Sequence, residues 1–393
     1  MLVFDAHLDL AMNAVEWNRD LSQPLVHLRA REAHKRDKPD RGRGTVSFDE
    51  MRRAGIGLCV ATQIARVEHD AYSPVAGWAS PAQAWAMTRA QRAWYDAMEE
   101  AGEIQILRNL NDLDQHLALW SSPAPVPSPA VHPKGVRVAE DAGDPPTLGA
   151  RPSPAAPATP DRRPIGCILS LEGADSLVTL QHLERSWNDG LRAVGPAHYG
   201  PGVYAQGTST TGGFNARGRD LLREMQRLGI LLDVTHLSDE CLVEALDLFD
   251  GPVWASHHLC RALVPHQRQL PDEHLRLLAQ RDAVVGLALD AWMVVPGWVR
   301  GQSTPESTGA SLRHVAEHAD HIAQVTGSAR HVGIGTDLDG AFGNEQTPRE
   351  VQSIADILQL ADHLRARGWS EPDIEGVFSG NFLSVLRRAW SGT

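Results

Sequence analysis

The chain has 393 residues with 37 Lys and Arg against 49 Asp and Glu, a formal charge of -12, which leaves no basic footprint for nucleic acid or an anionic membrane. No apolar run approaches the length of a membrane span, and no basic and apolar leader precedes the first strand, so a soluble, cytoplasmic protein is expected. The four cysteines, Cys59, Cys167, Cys241 and Cys260, lie far apart without a C-x-x-C pair, which fits buried free thiols better than a disulfide framework.

In chain order, the apolar run Leu2-Val3-Phe4 leads into Asp5-Ala6-His7-Leu8-Asp9. Residues i and i+2 of an extended segment share a face, so His7 and Asp9 offer an imidazole and a carboxylate side by side. A polar stretch to about Gly44 reads as a long loop or flap, and its mixed charge run, Arg29 to Arg43, as solvated surface. Ser47-x-x-Glu50 reads as a capping box opening a short helix that stops at Gly55. Ile56 to Ile64 is a second buried strand, and Ser80-Pro81 opens a long helix to about Gly102. Residues 121–164 hold twelve of the chain's 25 prolines; that composition cannot bury a core and reads as a mobile inserted segment.

From Ile165 short apolar runs alternate with amphipathic segments. The runs are Ile165 to Leu171, Leu191 to Gly195, Ile230 to Val234, Pro252 to Ala255, Ala283 to Leu289 and His331 to Gly335. With the two earlier strands this makes eight strand and helix units, which predicts a parallel sheet closed into a (β/α)8 TIM barrel. One domain is expected over 1–393, with the Pro-rich insertion before the third strand. A doubly wound open sheet is disfavoured because no G-x-G-x-x-G follows the first strand. Thr347-Pro348-x-Glu350 reads as a capping box that begins the C-terminal helices.

Six of the eight expected strands end in His, Asp or Glu. They end in His7-x-Asp9, Glu172, His198, His236, His257-His258 and Asp337, and in a barrel these ends share the rim where active sites are built. A strand-end Asp often caps the next helix and a strand-end His often only satisfies a hydrogen bond, but six in one fold are hard to explain that way. The set holds enough nitrogen and oxygen ligands for two divalent ions bridged by a carboxylate.

Taken together, Asp5-Ala6-His7-Leu8-Asp9, Ser170-Leu171-Glu172-Gly173, Asp233-Val234-Thr235-His236, Ser256-His257 and Gly333-Ile334-Gly335-Thr336-Asp337-Leu338-Asp339-Gly340 resemble the renal (membrane) dipeptidase family of the amidohydrolase superfamily. So does Ser379-Gly380-Asn381-Phe382-Leu383 near the C-terminus. The resemblance spans nearly the whole chain apart from the Pro-rich insert. It implies a metallopeptidase that hydrolyses dipeptides with two Zn2+ ions. His7, Asp9 and Asp337 would hold one ion, His236 and His257 the other, and Glu172 would bridge them. His258 competes with His257; the family ligand directly follows a Ser, which favours His257.

His198 would face the scissile carbonyl, and Arg268, with Arg261 as a nearby rival, would bind the substrate carboxylate and so restrict the enzyme to dipeptides. A hydroxide between the two ions would attack the carbonyl, and Asp337 would pass a proton to the leaving amine. Leu8 replaces the Asn usual between the first two ligands, a change expected to alter the pocket. The secretion leader and lipid anchor of the animal enzymes have no counterpart here, so membrane attachment is not carried over; the resemblance does favour a homodimer. The rival readings are another amidohydrolase acting on N-acyl amino acids, lactams or other small amides, and a non-catalytic barrel.

Overall fold

The computed structural model describes residues 1–68, 77–121 and 161–391. Nine parallel strands form the sheet: β1 (Val3–Leu8), β2 (Ile56–Ile64), β3 (Ile104–Ile106), β4 (Ile165–Glu172), β5 (Leu191–Gly195), β6 (Leu231–Asp233), β7 (Val253–His258), β8 (Val285–Leu287) and β9 (Val332–Ile334). Their order is β2-β1-β9-β8-β7-β6-β5-β4-β3, and the sheet closes because β2 also pairs with β4 over Leu58–Ile64 and Gly166–Glu172. Eight strands make the ring, so the fold is a (β/α)8 TIM barrel. The ninth, β3, pairs only with Ile165–Cys167 at the start of β4, while β5 pairs with Leu169–Glu172. Three residues after a helix are too few to show period-2 alternation, which is why sequence periodicity misses β3.

The barrel interior takes one or two apolar side chains from strand after strand: Phe4, Leu58, Val60, Ile168, Ala193, Leu231 and Trp254. Helix Asn381–Trp390 closes the end where the strands begin. Phe382 from that helix covers Gly333, where an added Cβ would come within 2.3 Å of its ring. Only glycine admits that closure.

Helix starts follow the expected chemistry. Ser47 accepts from the Glu50 N–H and Ser80 from the Gln83 N–H, with Pro81 in the first turn. Gly55 ends the first of these helices at φ +72°, a left-handed conformation that costs a glycine little. Two expectations fail. Thr347 and Glu350 cap no helix of their own; the Glu350 carboxylate accepts from the Leu312 N–H and so caps helix Leu312–Thr326 from a distance.

The stretch before Gly44 is no plain flap either. It contains helices Leu10–Val15 and Leu25–Glu32, and part of its charge is buried. Arg19 pairs with Glu32 at 3.1 Å and Asp40 at 2.8 Å, and Arg41 reaches Glu32 at 2.5 Å. Opposite charges that satisfy one another can be buried together, and composition alone cannot distinguish that from a wet surface.

The insertion expected at 121–164 lies outside the described residues except at its ends, where Arg163 stacks on Trp120 and pairs with Asp161.

His318 in helix Leu312–Thr326 accepts at Nδ1 from the Cys260 N–H, and its Nε2 faces the Val294 carbonyl. Burial lowers its pKa to about 4. The unfolded chain therefore takes up a proton that the folded one refuses, so stability present above about pH 6.5 is lost as pH falls toward 4. Replacing His318 with Gln is expected to flatten the fall in melting temperature between pH 7 and 4; an unchanged slope would exclude His318 as a contributor.

Candidate active site

The strand ends converge as the sequence pattern requires, with one local device the pattern hides. Phe4 and Ala6 face the barrel interior, so strict alternation would turn His7 away from it. Between the pairings Asp5 with Cys59 and Leu8 with Ala61, β1 advances one residue more than β2. This bulge re-aims the strand end. As a result His7 joins the interior cluster and Leu8 points into the outer hydrophobic core, fully buried. Leu8 does not line the pocket, contrary to the expectation drawn from its position between two ligands.

Six side chains meet at the rim. His7 Nε2 lies 3.8 Å from Asp9 Oδ1, 3.6 Å from Glu172 Oε2 and 3.8 Å from Asp337 Oδ1. The other Glu172 oxygen, Oε1, lies 3.3 Å from His236 Nε2 and 3.5 Å from His257 Nε2, and these two nitrogens are 3.3 Å apart. Glu172 thus turns one oxygen to each half of the cluster. Ligand atoms of His7, Asp9 and Glu172, of His7, His257 and Asp337, and of Glu172, His236 and His257 each fall within 4.8 Å of one another.

The surrounding structure holds these side chains in place. Asp5, wholly buried, accepts from the N–H groups of His7 and Thr336 and from the Thr336 hydroxyl at 2.6 Å, tying the end of β1 to the residues before Asp337. Asp233 does the same on the other side, accepting from the N–H groups of Thr235 and Ser256 beside His236 and His257. The Nδ1 atoms of His7, His236 and His257 sit 3.4, 2.9 and 2.9 Å from the hydroxyls of Thr62, Thr208 and Ser256. Each ring therefore directs Nε2 inward, the orientation that an outer hydroxyl imposes on a metal-binding imidazole. His236 and Asp337 hold positive φ of 68° and 58°, uncommon for side-chain-bearing residues and concentrated at functional sites. A Cβ at Gly340 would come within 2.1 Å of Asp337 Oδ1; that residue must stay glycine for Asp337 to keep its place.

Burial and neighbouring charges set the electrostatics of the cluster. Burial raises Glu172 to about 8 and pushes Asp337 well above the carboxylate range. Burial opposes charge on His7, but the carboxylates of Glu172, Asp9 and Asp337 outweigh it and raise the imidazole to about 10. Burial, reinforced by the positive charge of Arg268, holds His236 and His257 neutral. His7 Nε2, Asp9 Oδ1 and Glu172 Oε1 are buried without a hydrogen-bond partner. Buried imidazole and carboxylate atoms left without partners are costly, and a divalent ion among them would supply the missing contacts. Oxygen and imidazole nitrogen donors in this mixture suit a borderline divalent ion.

The cluster floors a cleft whose walls include His198, Tyr199, Arg268, Asp290, Trp292 and Arg300. His257 belongs to the cluster and His258 does not. The adjacent His258 turns away, and its Nδ1 accepts from Arg268 Nη1 at 3.0 Å, while Arg268 Nη2 donates to the His257 carbonyl at 2.9 Å. Arg268, 2 % exposed, lines the cleft. Arg261 is instead paired with Asp239 at 2.7 Å, outside it. His198 is buried with Nδ1 unpartnered, and burial, with the charges of Arg66 and Arg268, keeps it neutral. Sequence reasoning missed Asp290, which follows the apolar run Ala283 to Leu289 as the other site residues follow theirs, and Arg300 beyond it; only the first left a signal.

A model of the membrane dipeptidase family, peptidase family M19, matches residues 149–391. An uncharacterised dipeptidase of Schizosaccharomyces pombe is 30% identical over 231 residues, 58% of this chain and 54% of its own length. Dipeptidase 3 of Mus musculus is 28% identical over 233 residues, 57% of this chain and 44% of its own. The chain spans about half the length of the curated relatives it matches. Among solved structures, a family M19 metallo peptidase, dipeptidase AC, superposes with a TM-score of 0.71 at 22% identity, covering 99% of both chains. A metallo peptidase from Rhodobacter sphaeroides liganded with a phosphinate mimic of the dipeptide L-Ala-D-Ala superposes with a TM-score of 0.69 at 21% identity, again over 99% of both.

Proposed function

The chain belongs to the membrane dipeptidase family, peptidase family M19, and from that premise we propose that it is a dipeptidase working with two zinc ions. The observation that carries the reading is Glu172, whose Oε2 faces His7 and whose Oε1 faces His236 and His257. His7, Asp9 and Asp337 would hold one ion, His236 and His257 the other, with Glu172 shared between them. When bound, such a pair would supply an activated water near neutral pH and polarise the substrate carbonyl.

The protein's own groups do the rest. Neutral His198 donates a hydrogen bond to the carbonyl oxygen as it gains negative charge. Arg268, fixed by His258 and the His257 carbonyl, pairs with the C-terminal carboxylate of the substrate. A tripeptide places an amide where that carboxylate belongs, so the clamp selects dipeptides. Asp337 takes the proton of the attacking water and delivers it to the leaving amine.

The test is hydrolysis of L,L- and L,D-dipeptides by zinc-loaded protein beside a tripeptide and a chelator-treated sample. Chelation is expected to abolish cleavage, and the tripeptide to be left intact. Arg268→Met is expected to raise KM roughly tenfold or more, as loss of a charge-assisted pair does. Two bound metals with no dipeptide cleaved would move the assignment to an amidohydrolase of N-acyl amino acids, lactams or other small amides.

A cytoplasmic location is part of the same proposal, supported by the four buried free cysteines; so is a homodimer, which light scattering would check. Among the described residues no helix is long and apolar enough to cross a membrane.

A further inference from the structure

The wall of the cleft away from the metal ligands carries a second guanidinium that the dipeptidase reading leaves without a task. Arg300 lines the cleft together with Arg268. Its position comes from Asp290, directly after the run that contains β8. The Asp290 side chain is 5 % exposed, with Oδ2 accepting from Arg300 Nη2 at 3.2 Å and Oδ1 from Gln346 Nε2 at 2.7 Å. Gln346 is itself buried, and its N–H donates to the Gly343 carbonyl at 3.0 Å. Asp290 therefore does not face substrate as a free carboxylate; one of its oxygens meets Arg300 and the other Gln346.

The Arg300 side chain remains 40 % exposed. One of its Nη atoms meets Asp290, and a guanidinium has five N–H donors in a rigid fork, so donors are left for the cleft. Half-buried Tyr199 lines the same cleft as Arg268 and Arg300. A dipeptide has one main-chain carboxylate, and Arg268 accounts for it. Arg300 has donors that Asp290 does not take, and a second carboxylate is the group that such a fork matches.

We propose that Arg300 is a specificity-determining residue that pairs with an acidic side chain of the substrate, so that the preferred class is dipeptides containing Asp or Glu. This rests on the dipeptidase reading and deepens it. Asp290 takes one Nη of Arg300 and leaves the remaining donors of the fork for an incoming carboxylate, the planar geometry that arginine matches and lysine does not.

The experiment compares glutamate dipeptides with their glutamine isosteres: Ala-Glu against Ala-Gln, and Glu-Ala against Gln-Ala, with L and D forms of the C-terminal residue. Zinc-loaded protein of this sequence is used throughout. At the position whose side chain meets Arg300, kcat/KM for the glutamate member is expected to exceed that for the glutamine member roughly tenfold or more, chiefly through KM. Arg300→Met is expected to bring that ratio near one, Arg300→Lys to keep part of it, and Arg300→Glu to reverse it. The wild-type ratio needs no variant, so the proposal is testable even if Arg300→Met folds poorly. Neutral dipeptides cleaved as well as acidic ones at both positions would overturn the role of Arg300 and leave the dipeptidase reading standing; so would a preference that survives in Arg300→Met. Failure to cleave any dipeptide would overturn both.

Discussion

Glu172→Gln is expected to lower dipeptide turnover by roughly 100-fold or more and to reduce bound zinc below two per chain, because even outer partners of metal ligands are worth about 10- to 100-fold. The substitution keeps the shape of the side chain. It replaces one oxygen, which faces His7 on one side or His236 and His257 on the other, with an amide nitrogen that can only donate, and it removes one negative charge from between the two ligand groups. The metal-free protein provides the control. Burial raises Glu172 to about 8, so its ionised form is disfavoured in the fold. Removing the charge is therefore expected to leave the metal-free protein no less stable to urea. Loss of turnover and metal with unchanged or higher metal-free stability assigns Glu172 to the site and not to folding. Full zinc content with full turnover would sink the two-ion assignment.

Arg19→Met is expected to cost about 3–5 kcal/mol of folding stability, the usual result of removing one partner from a buried ionic network. Arg19 is 3 % exposed and faces three buried carboxylates: Glu32, Asp40 and, at 3.6 Å, Asp339. Without it, Arg41, which reaches Glu32, is left to balance three charges. The effect extends to the site. Asp339 accepts from the N–H groups of Thr45 and Val46 and from the Thr45 hydroxyl, while Asn13 accepts from Arg19 at 2.7 Å and donates to the carbonyls of Asp9 and Asp339. The network thus braces two segments that carry proposed ligands, Asp9 and Asp337. Urea unfolding of metal-free protein measures the stability and zinc titration the affinity, and both are expected to fall. A loss under about 1 kcal/mol would mean the network behaves as an exposed one.

These two residues mark the boundary of what the sequence discloses. Glu172 is legible because it sits at the end of a near-continuous apolar run, and strand ends of a parallel barrel share a rim whatever the details of packing. The same logic finds His7, Asp9, His198, His236, His257 and Asp337, all of which the structure brings to the cleft or its floor. Arg19 and Asp339 are not legible as partners, since they lie far apart in the chain and meet only when β1 and β9 pair. Arg300 is silent for a similar reason: an arginine in a polar loop has no periodicity, and its role depends on Asp290 reaching it.

The alternation of apolar runs and amphipathic helices determined the barrel, because eight strands covered on their outer face by helices have few ways to bury both faces. The residue types at the strand ends determined which donors could meet there, and such donors suit divalent ions. Tertiary structure decided the rest. It placed an extra residue in β1 between Asp5 and Leu8, which turns His7 inward and Leu8 outward. It chose His257 over the adjacent His258 by giving His258 to Arg268, and it made part of a charged loop into a buried brace. A bulge, a choice between neighbouring side chains and the pairing of distant charges all depend on which strands lie side by side, and that is settled only when the chain closes.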